Sequence, residues 1–242
     1  MTDKLIFCEK FKSALTKNGL GDFASDILAD KFHALTEHML EVNEYMNLTA
    51  ICDLDGVITK HYVDSLTVSK YIPEGASVID VGCGAGFPSL PLAIARPDIR
   101  VTALDSTAKR INYIHETAEM LGLANISCIA ARAEELAGSP EHRECYDISC
   151  ARAVARLNVL CELCLPYVKV GGKFVAMKAN AVTELTEASS AISRLGGKLA
   201  CADSFELISD TAEPRCIITV EKISATPKNY PRNNSQIKKK PL

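Results

Sequence analysis

Residues 78–92, Val-Ile-Asp-Val-Gly-Cys-Gly-Ala-Gly-Phe-Pro-Ser-Leu-Pro-Leu, decide how the chain folds. Val78, Ile79 and Val81 form a short β-branched run, the composition of a strand buried on both faces. Glycines follow at every second position, Gly82, Gly84 and Gly86. Then come Pro88 and Pro91, which helices tolerate only in their first turn. The stretch reads strand, tight turn, helix. A turn without Cβ atoms lets a ligand lie against the backbone, beside exposed helix-start amides. Asp80 at the strand end can orient the loop or bind a polar group. The spacing also narrows the ligand. A dinucleotide turn wants G-x-G-x-x-G under the pyrophosphate, and from Gly82 its third glycine would fall at 87, where the chain has Phe.

Upstream of this turn the apolar residues have a helical period. They predict helices over 4–20, 23–46 and 56–70, broken at Asn18-Gly19 and at Asn47-Leu48-Thr49. Downstream, short apolar runs predict strands at 77–82, 100–105, 125–130, 146–151 and 172–178. Helical stretches at 88–95, 107–121, 132–137, 155–165 and 181–195 alternate with them. Repeated β-α units imply a parallel sheet with right-handed crossovers. Two further strands, near 198–208 and 215–223, have no helix between them and must run antiparallel. The expected fold class is thus α/β, a parallel sheet with a C-terminal antiparallel strand pair. A helical region at 1–73 precedes the sheet domain at 74–223, and a basic tail at 224–242 follows it.

Composition sets bounds. The chain has 242 residues, 48% of them hydrophobic, with no apolar run of membrane-spanning length and no signal-peptide core at the N-terminus. Ten scattered cysteines suit buried thiols in a reducing compartment, so a cytoplasmic protein is expected. The net charge of −3 argues against a protein that coats nucleic acid indiscriminately. From Lys222 onward, however, there are six basic residues and no acid. Such a tail is either a solvated end or a nucleic-acid-binding arm.

G-x-G-x-G after an Asp-bearing strand resembles the first motif of Rossmann-like, S-adenosylmethionine-dependent methyltransferases. In an open α/β sheet ligands bind beyond the carboxyl ends of the strands, so the residues there are the candidates. Asp105 is placed to accept hydrogen bonds from ribose hydroxyls or, alternatively, to cap the next helix. Ala133 and Glu134 follow the third strand, where a methyltransferase holds its adenine, although acids there also favour a helix start. Arg152 and Lys178 end the fourth and fifth strands and point cations into the mouth. Cys150 has no proline before it and reads as a buried thiol rather than a nucleophile. Cys161-x-x-Cys164 lies within a helix with no second ligand pair at zinc spacing, so no metal is expected. The five histidines are expected mostly on helical surface.

Together these stretches resemble one family, the small-subunit rRNA methyltransferase G (GidB or RsmG) family of Gram-positive type. The matching pieces are Tyr45-Met46-Asn47-Leu48-Thr49, Lys60-His61-Tyr62-Val63-Asp64-Ser65-Leu66, the glycine turn with Phe87-Pro88, and Leu104-Asp105-Ser106 with Lys109-Arg110. They continue through Arg132-Ala133-Glu134-Glu135, Ala151-Arg152-Ala153, Met177-Lys178, Arg215, Tyr230-Pro231-Arg232 and the final Lys239-Lys240-Pro241-Leu242. Cys83, Ser89, Cys150 and Ala179 depart from the family's usual small residues without changing size class. The resemblance implies a Rossmann-like class I methyltransferase that transfers methyl from S-adenosylmethionine to N7 of a guanine in 16S rRNA, in the loop around position 527. It implies cofactor contacts from Gly82, Gly84, Phe87, Asp105, Ala133, Glu134 and Arg152. Arg132 and Lys178 would orient the guanine or a phosphate. The partner would be 16S rRNA, as the small ribosomal subunit or its precursor, with neither membrane nor metal. Kept beside it are a methyltransferase for a protein or small molecule, a nicotinamide oxidoreductase, and a non-catalytic RNA-binding protein of the same fold.

Overall fold

The computed structural model describes residues 3–179, 182–209 and 211–242. Helix α1 (Lys4–Lys17) starts where the Asp3 carboxylate accepts from the Leu5 and Ile6 amides, and it ends before Asn18-Gly19, with Gly19 at φ +72°. A 3₁₀ turn (Gly21–Phe23) leads to α2 (Asp26–Met46). This helix begins later than position 23 because Ser25 takes the capping position, and left-handed Asn47 closes it. The third helical stretch is continuous but uneven. It runs through α3 (Leu54–Gly56), a π-helical segment (Val57–Val63), α4 (Asp64–Leu66) and a 3₁₀ turn (Thr67–Tyr71).

Then the alternation begins: β1 (Ser77–Val81), α5 (Ser89–Ala95), β2 (Arg100–Asp105), α6 (Ala108–Met120), β3 (Ile126–Ala130), α7 (Ala133–Leu136), β4 (Tyr146–Arg152), α8 (Leu157–Cys164), β5 (Val168–Lys178) and α9 (Val182–Arg194). Residue 181, the expected first residue of α9, lies outside the described residues. Two long strands, β6 (Gly197–Ile208) and β7 (Ala212–Lys222), and the short α10 (Asn234–Lys239) complete the chain. The seven strands lie in the order β3-β2-β1-β4-β5-β7-β6. The first five run parallel, and β7 is antiparallel to both β5 and β6. This is the Rossmann-like class I methyltransferase arrangement that the β-α alternation and the final strand pair imply.

One local reading is corrected. Gly171-Gly172 is expected as a turn before the fifth strand, yet both residues lie inside β5. There the register against β4 slips, Tyr146 pairing with Val168 while Ile148 pairs with Lys173. Gly171, at φ +88°, takes the backbone through that irregularity.

Both sheet faces are covered, which is why β1 and β4 read as unbroken apolar runs. On one face α5, α6 and the N-terminal helices share a core, where Phe7, Phe11, Phe32 and Tyr62 pack with Phe87, Leu90, Tyr113 and Ile114. On the other face α7, α8 and α9 bury Leu157, Leu160, Ala188 and Ile192 against Val81, Phe174 and Ile218. The tail after β7 is an ordered strap on this second face, with Tyr230 and Leu242 packed against the same core and Ile237 buried.

Candidate functional site

A cleft of about 1170 Å³ opens at the carboxyl ends of β1, β2, β4 and β5. Its floor is the glycine turn, and the three glycines there do different work. Gly82 has φ +77°, and a Cβ on it would come within 2.8 Å of the Val154 side chain. Gly86, at φ +87°, would collide with Leu90. Only Gly84, at φ +58°, faces space with no atom within 4 Å of where its Cβ would be. The place for a ligand on this backbone is at Gly84, whereas Gly82 and Gly86 serve close packing and a left-handed path.

The amides expected to be exposed are in use. The Gly82 and Cys83 N–H groups donate to the Leu104 carbonyl at 2.7 and 3.0 Å, and those of Gly86 and Phe87 donate to Cys83. The Ser89 N–H donates to Asp80 Oδ2 at 3.1 Å. Asp80 is therefore a fully buried brace for the start of α5, and burial raises its carboxyl to about 6 despite the Ser89 hydrogen bonds. A loop with its donors spent in this way is a poor pyrophosphate cradle.

Asp105 combines both roles weighed for it. Oδ1 accepts from the Thr107 N–H at 2.8 Å, at the entrance to α6, and Oδ2 accepts from the Gly84 N–H at 3.0 Å. Each carboxylate oxygen has a second lone pair, so the group can still take a donor from the cleft it lines. Ala133 and Glu134 line the next stretch of wall. Arg132, at the rim, is mostly exposed and reaches Glu134 and Glu135 only at 4.0 Å. Among the cations assigned to the site it is the most available.

Opposite stands a charged cluster assembled from three distant segments. Asp64, in the third helical stretch, accepts from Arg152 Nη1 at 3.1 Å and from Arg215 Nε at 3.0 Å. Arg152 also donates to the Lys60 carbonyl at 2.7 Å. Glu213 accepts from Arg215 at 3.0 Å and pairs with Lys60 at 2.7 Å. Three cations face two carboxylates here, so the wall is net positive. Beside it the His61 ring stacks on Phe87, with centroids 4.4 Å apart and 5° between planes, and shares a 2.8 Å hydrogen bond with Thr49 Oγ1. Arg152 Cζ lies 5.5 Å from the centroid of the same Phe87 ring. Burial, and secondly the Arg152 charge, lower His61 to about 4, so the imidazole is neutral at physiological pH.

Lys178 differs from expectation. Its ammonium donates to the Ala155 carbonyl at 2.8 Å and pairs with Glu184 at 2.8 Å, and Glu184 also accepts from the Leu157 N–H at 2.7 Å. With its charge matched, Lys178 holds the 153–157 loop in place instead of offering a free cation. His61 likewise is no surface histidine, since only 7% of it is exposed. Cys150 is fully buried, and burial pushes its thiol well above the ordinary range, which leaves no accessible thiolate. No group of three or more His, Cys, Asp or Glu residues able to hold a metal occurs among the described residues, and none of the described helices is long and apolar enough to cross a membrane.

Asp64, Arg215, His61 and Glu184 do not stand at strand carboxyl ends, so reasoning from strand ends gives them no role. One signal points to the first. Asp64 stands beside the apolar positions Tyr62, Val63 and Leu66, and an acid on the buried side of a helix has to find a partner.

Residues 28–207 match the model of the GidB family, described as rRNA small subunit methyltransferase G. The chain is 44% identical to ribosomal RNA small subunit methyltransferase G of Brevibacillus brevis, over 97% of this chain and 98% of that one. It is 46% identical to the protein of the same name from Halalkalibacterium halodurans, over 96% and 98%. Among solved structures, an S-adenosylmethionine-dependent O-methyltransferase from Thermotoga maritima superposes with TM-score 0.52 at 16% identity, over 78% of this chain and 72% of that one. TYW2 of M. jannaschii in complex with AdoMet gives TM-score 0.52 at 16% identity, over 66% and 77%. At such low identity the two structures speak for the fold alone.

Proposed function

We propose, from the premise that this chain belongs to the rRNA small subunit methyltransferase G family, that it methylates N7 of a guanine in 16S rRNA presented by the small ribosomal subunit or its precursor. The activity is that of an S-adenosylmethionine-dependent rRNA methyltransferase. The finer reading rests chiefly on one observation, a cleft with cofactor-binding features on one side and net positive charge on the other, and no poised base between them among the described residues.

The cofactor side fits S-adenosylmethionine. Gly84 leaves a cradle that a Cβ would fill, Asp105 keeps acceptor capacity for ribose hydroxyls, and Ala133 and Glu134 line the wall for the adenine. Gly82 and Phe87 shape the floor, and Arg152 closes the far end. Bound there, the cofactor supplies an electrophilic methyl group on a sulfonium. The chain itself has only to position and desolvate. Guanine N7 carries a free lone pair at neutral pH, so no residue must remove a proton before attack. His61, whose pKa burial lowers to about 4, buried Cys150 and charge-matched Lys178 agree with a site that needs neither a strong base nor a nucleophile. Positioning then supplies the rate.

Methyl transfer moves positive charge from sulfur to the guanine. A guanidinium pressed on the base edge would oppose that movement, although arginine also reads O6 and N7. The net positive wall of Lys60, Arg152 and Arg215 therefore suits a phosphate flanking the target, and by the same argument exposed Arg132 suits a second backbone phosphate better than the base edge. In an A-form helix the N7 edge is inaccessible, so the guanine must be unpaired or flipped out. The test is incubation of the purified chain with small subunits and S-adenosylmethionine, followed by mass spectrometry of the digested rRNA. The expected product is a single 7-methylguanosine. A methyl group on another atom, or none despite bound S-adenosylhomocysteine, would overturn the reading.

A further inference from the structure

A basic tail after the last strand suits RNA, yet much of this one is built into the domain. Buried polar contacts fix the C-terminal strap from behind. Glu162 in α8, with a side chain only 1% exposed, accepts from the Arg232 backbone N–H at 2.9 Å and from both Nε and Nη2 of its guanidinium. Arg143 donates to the Tyr230 and Thr226 carbonyls, each at 2.9 Å. Lys222 is fully buried, donating to the Leu165 carbonyl at 2.8 Å and pairing with Glu144 at 2.9 Å. Lys222, at the end of β7, and Arg232, in the tail, thus act as internal staples and add little to a solvent-facing patch.

These staples deliver α10 to one place. Asn233 caps it by accepting from the Gln236 N–H at 3.0 Å, and Ile237 is 1% exposed. Asn234, Ile237 and Lys238 line the same cleft as Ala133, Glu134, Val159 and Leu163. A six-residue helix has little stability of its own, so its position depends on the staples behind it and on the contacts of Ile237.

We infer that α10 is a structural part of the S-adenosylmethionine site, with Ile237 completing the wall beside Ala133 and Glu134 that encloses the apolar end of the cofactor. This rests on reading the cleft as the cofactor site. Removing Ile237 would open that end to water, and the bound cofactor would lose the burial that an apolar wall provides.

Calorimetry with S-adenosylhomocysteine on the full-length Ile237→Ser protein tests the inference. The expected result is affinity about tenfold below wild type. Hydrogen exchange on the unmodified protein gives another measurement that needs no variant, and 234–239 should become more protected when S-adenosylhomocysteine is added. Wild-type affinity in a folded Ile237→Ser protein, or unchanged exchange at 234–239 while the glycine turn becomes protected, would overturn the inference. If the variant does not fold, the exchange result decides. Failure of the wild-type protein to bind S-adenosylhomocysteine at all would defeat the cofactor reading itself, and the inference with it.

Discussion

The two sides of the cleft are held by the same chemistry to different ends, one by ions that line it and the other by ions behind it. On the N-terminal side, Asp64 is shared between Arg152 and Arg215, with Lys60 and Glu213 completing the network. On the C-terminal side, Glu162 holds Arg232 alone. The first cluster lines the cleft and has an unmatched positive charge, whereas the second pair is charge-matched and lies behind the cleft, where it supports the strap that carries α10. An ion pair in which each charge has its own partner acts as a staple. An ion cluster with one cation in excess projects a field, and here it projects it into the cleft, the place the proposed function gives to an RNA phosphate.

The sharpest way to break the contrast is to cut the staple. Arg232→Ala leaves the buried Glu162 carboxylate unpaired, and it should destabilise the protein by about 3–5 kcal/mol in thermal or denaturant unfolding. Replacing both partners, as Glu162→Leu with Arg232→Leu, should recover most of that loss, because the pair is structural. If the single variant melted like wild type, the pair would be no staple.

Asp64→Asn tests the other side, and its effect should fall on catalysis. Two guanidiniums would lose their common anchor, and methylation of small subunits should drop about a hundredfold, or roughly 2.7 kcal/mol in the activation barrier. Binding of S-adenosylhomocysteine should fall by less, because only one of the two guanidiniums, Arg152, also closes the cofactor pocket, and it keeps its bond to the Lys60 carbonyl. A loss confined to thermal stability, with full activity in the folded protein, would make the two sides equivalent after all.

The smallest effect concerns His61, which belongs to the positive wall through its contact with Phe87 and the nearby Arg152. Its pKa is lowered to about 4 in the folded chain, against about 6.5 when unfolded. Between those values the unfolded chain binds more protons, so stability falls as pH drops through the window. The contribution should be about 1 kcal/mol between about pH 7 and pH 5.5, and His61→Gln should flatten that part of the profile. Asp80 works in the opposite sense. Its carboxyl is raised to about 6, so its contribution to stability is lost as pH rises through that value. Urea titrations of both proteins across the range would separate the two. An unchanged slope in His61→Gln would remove the histidine from the electrostatics of this wall.

Much of the molecule is legible from adjacent residues. The strand-turn-helix of 78–92, the β-α alternation and the antiparallel finish follow from apolar period, glycine spacing and proline placement, all of which act within a few residues. Strand ends follow the same way, and Asp105, Ala133, Glu134 and Arg152 do line the cleft. What each of them touches is another matter. Gly82 and Gly84 look alike in sequence, and only the approach of Val154 separates the packing glycine from the one facing the ligand space. Lys178 reads as a free cation at a strand end, and only the fold sets Glu184 against it.

The two sides of the cleft illustrate the division most clearly. The sequence by itself determined the sheet, the glycine turn and the basic tail, because backbone preference and hydrophobic period are properties of neighbouring residues. Tertiary structure alone decided which charges are matched. Asp64 meets Arg152 across 88 positions and Arg215 across 151, and Glu162 meets Arg232 across 70. The energy of such pairs depends on distance and burial in space, and separation along the chain has no bearing on either.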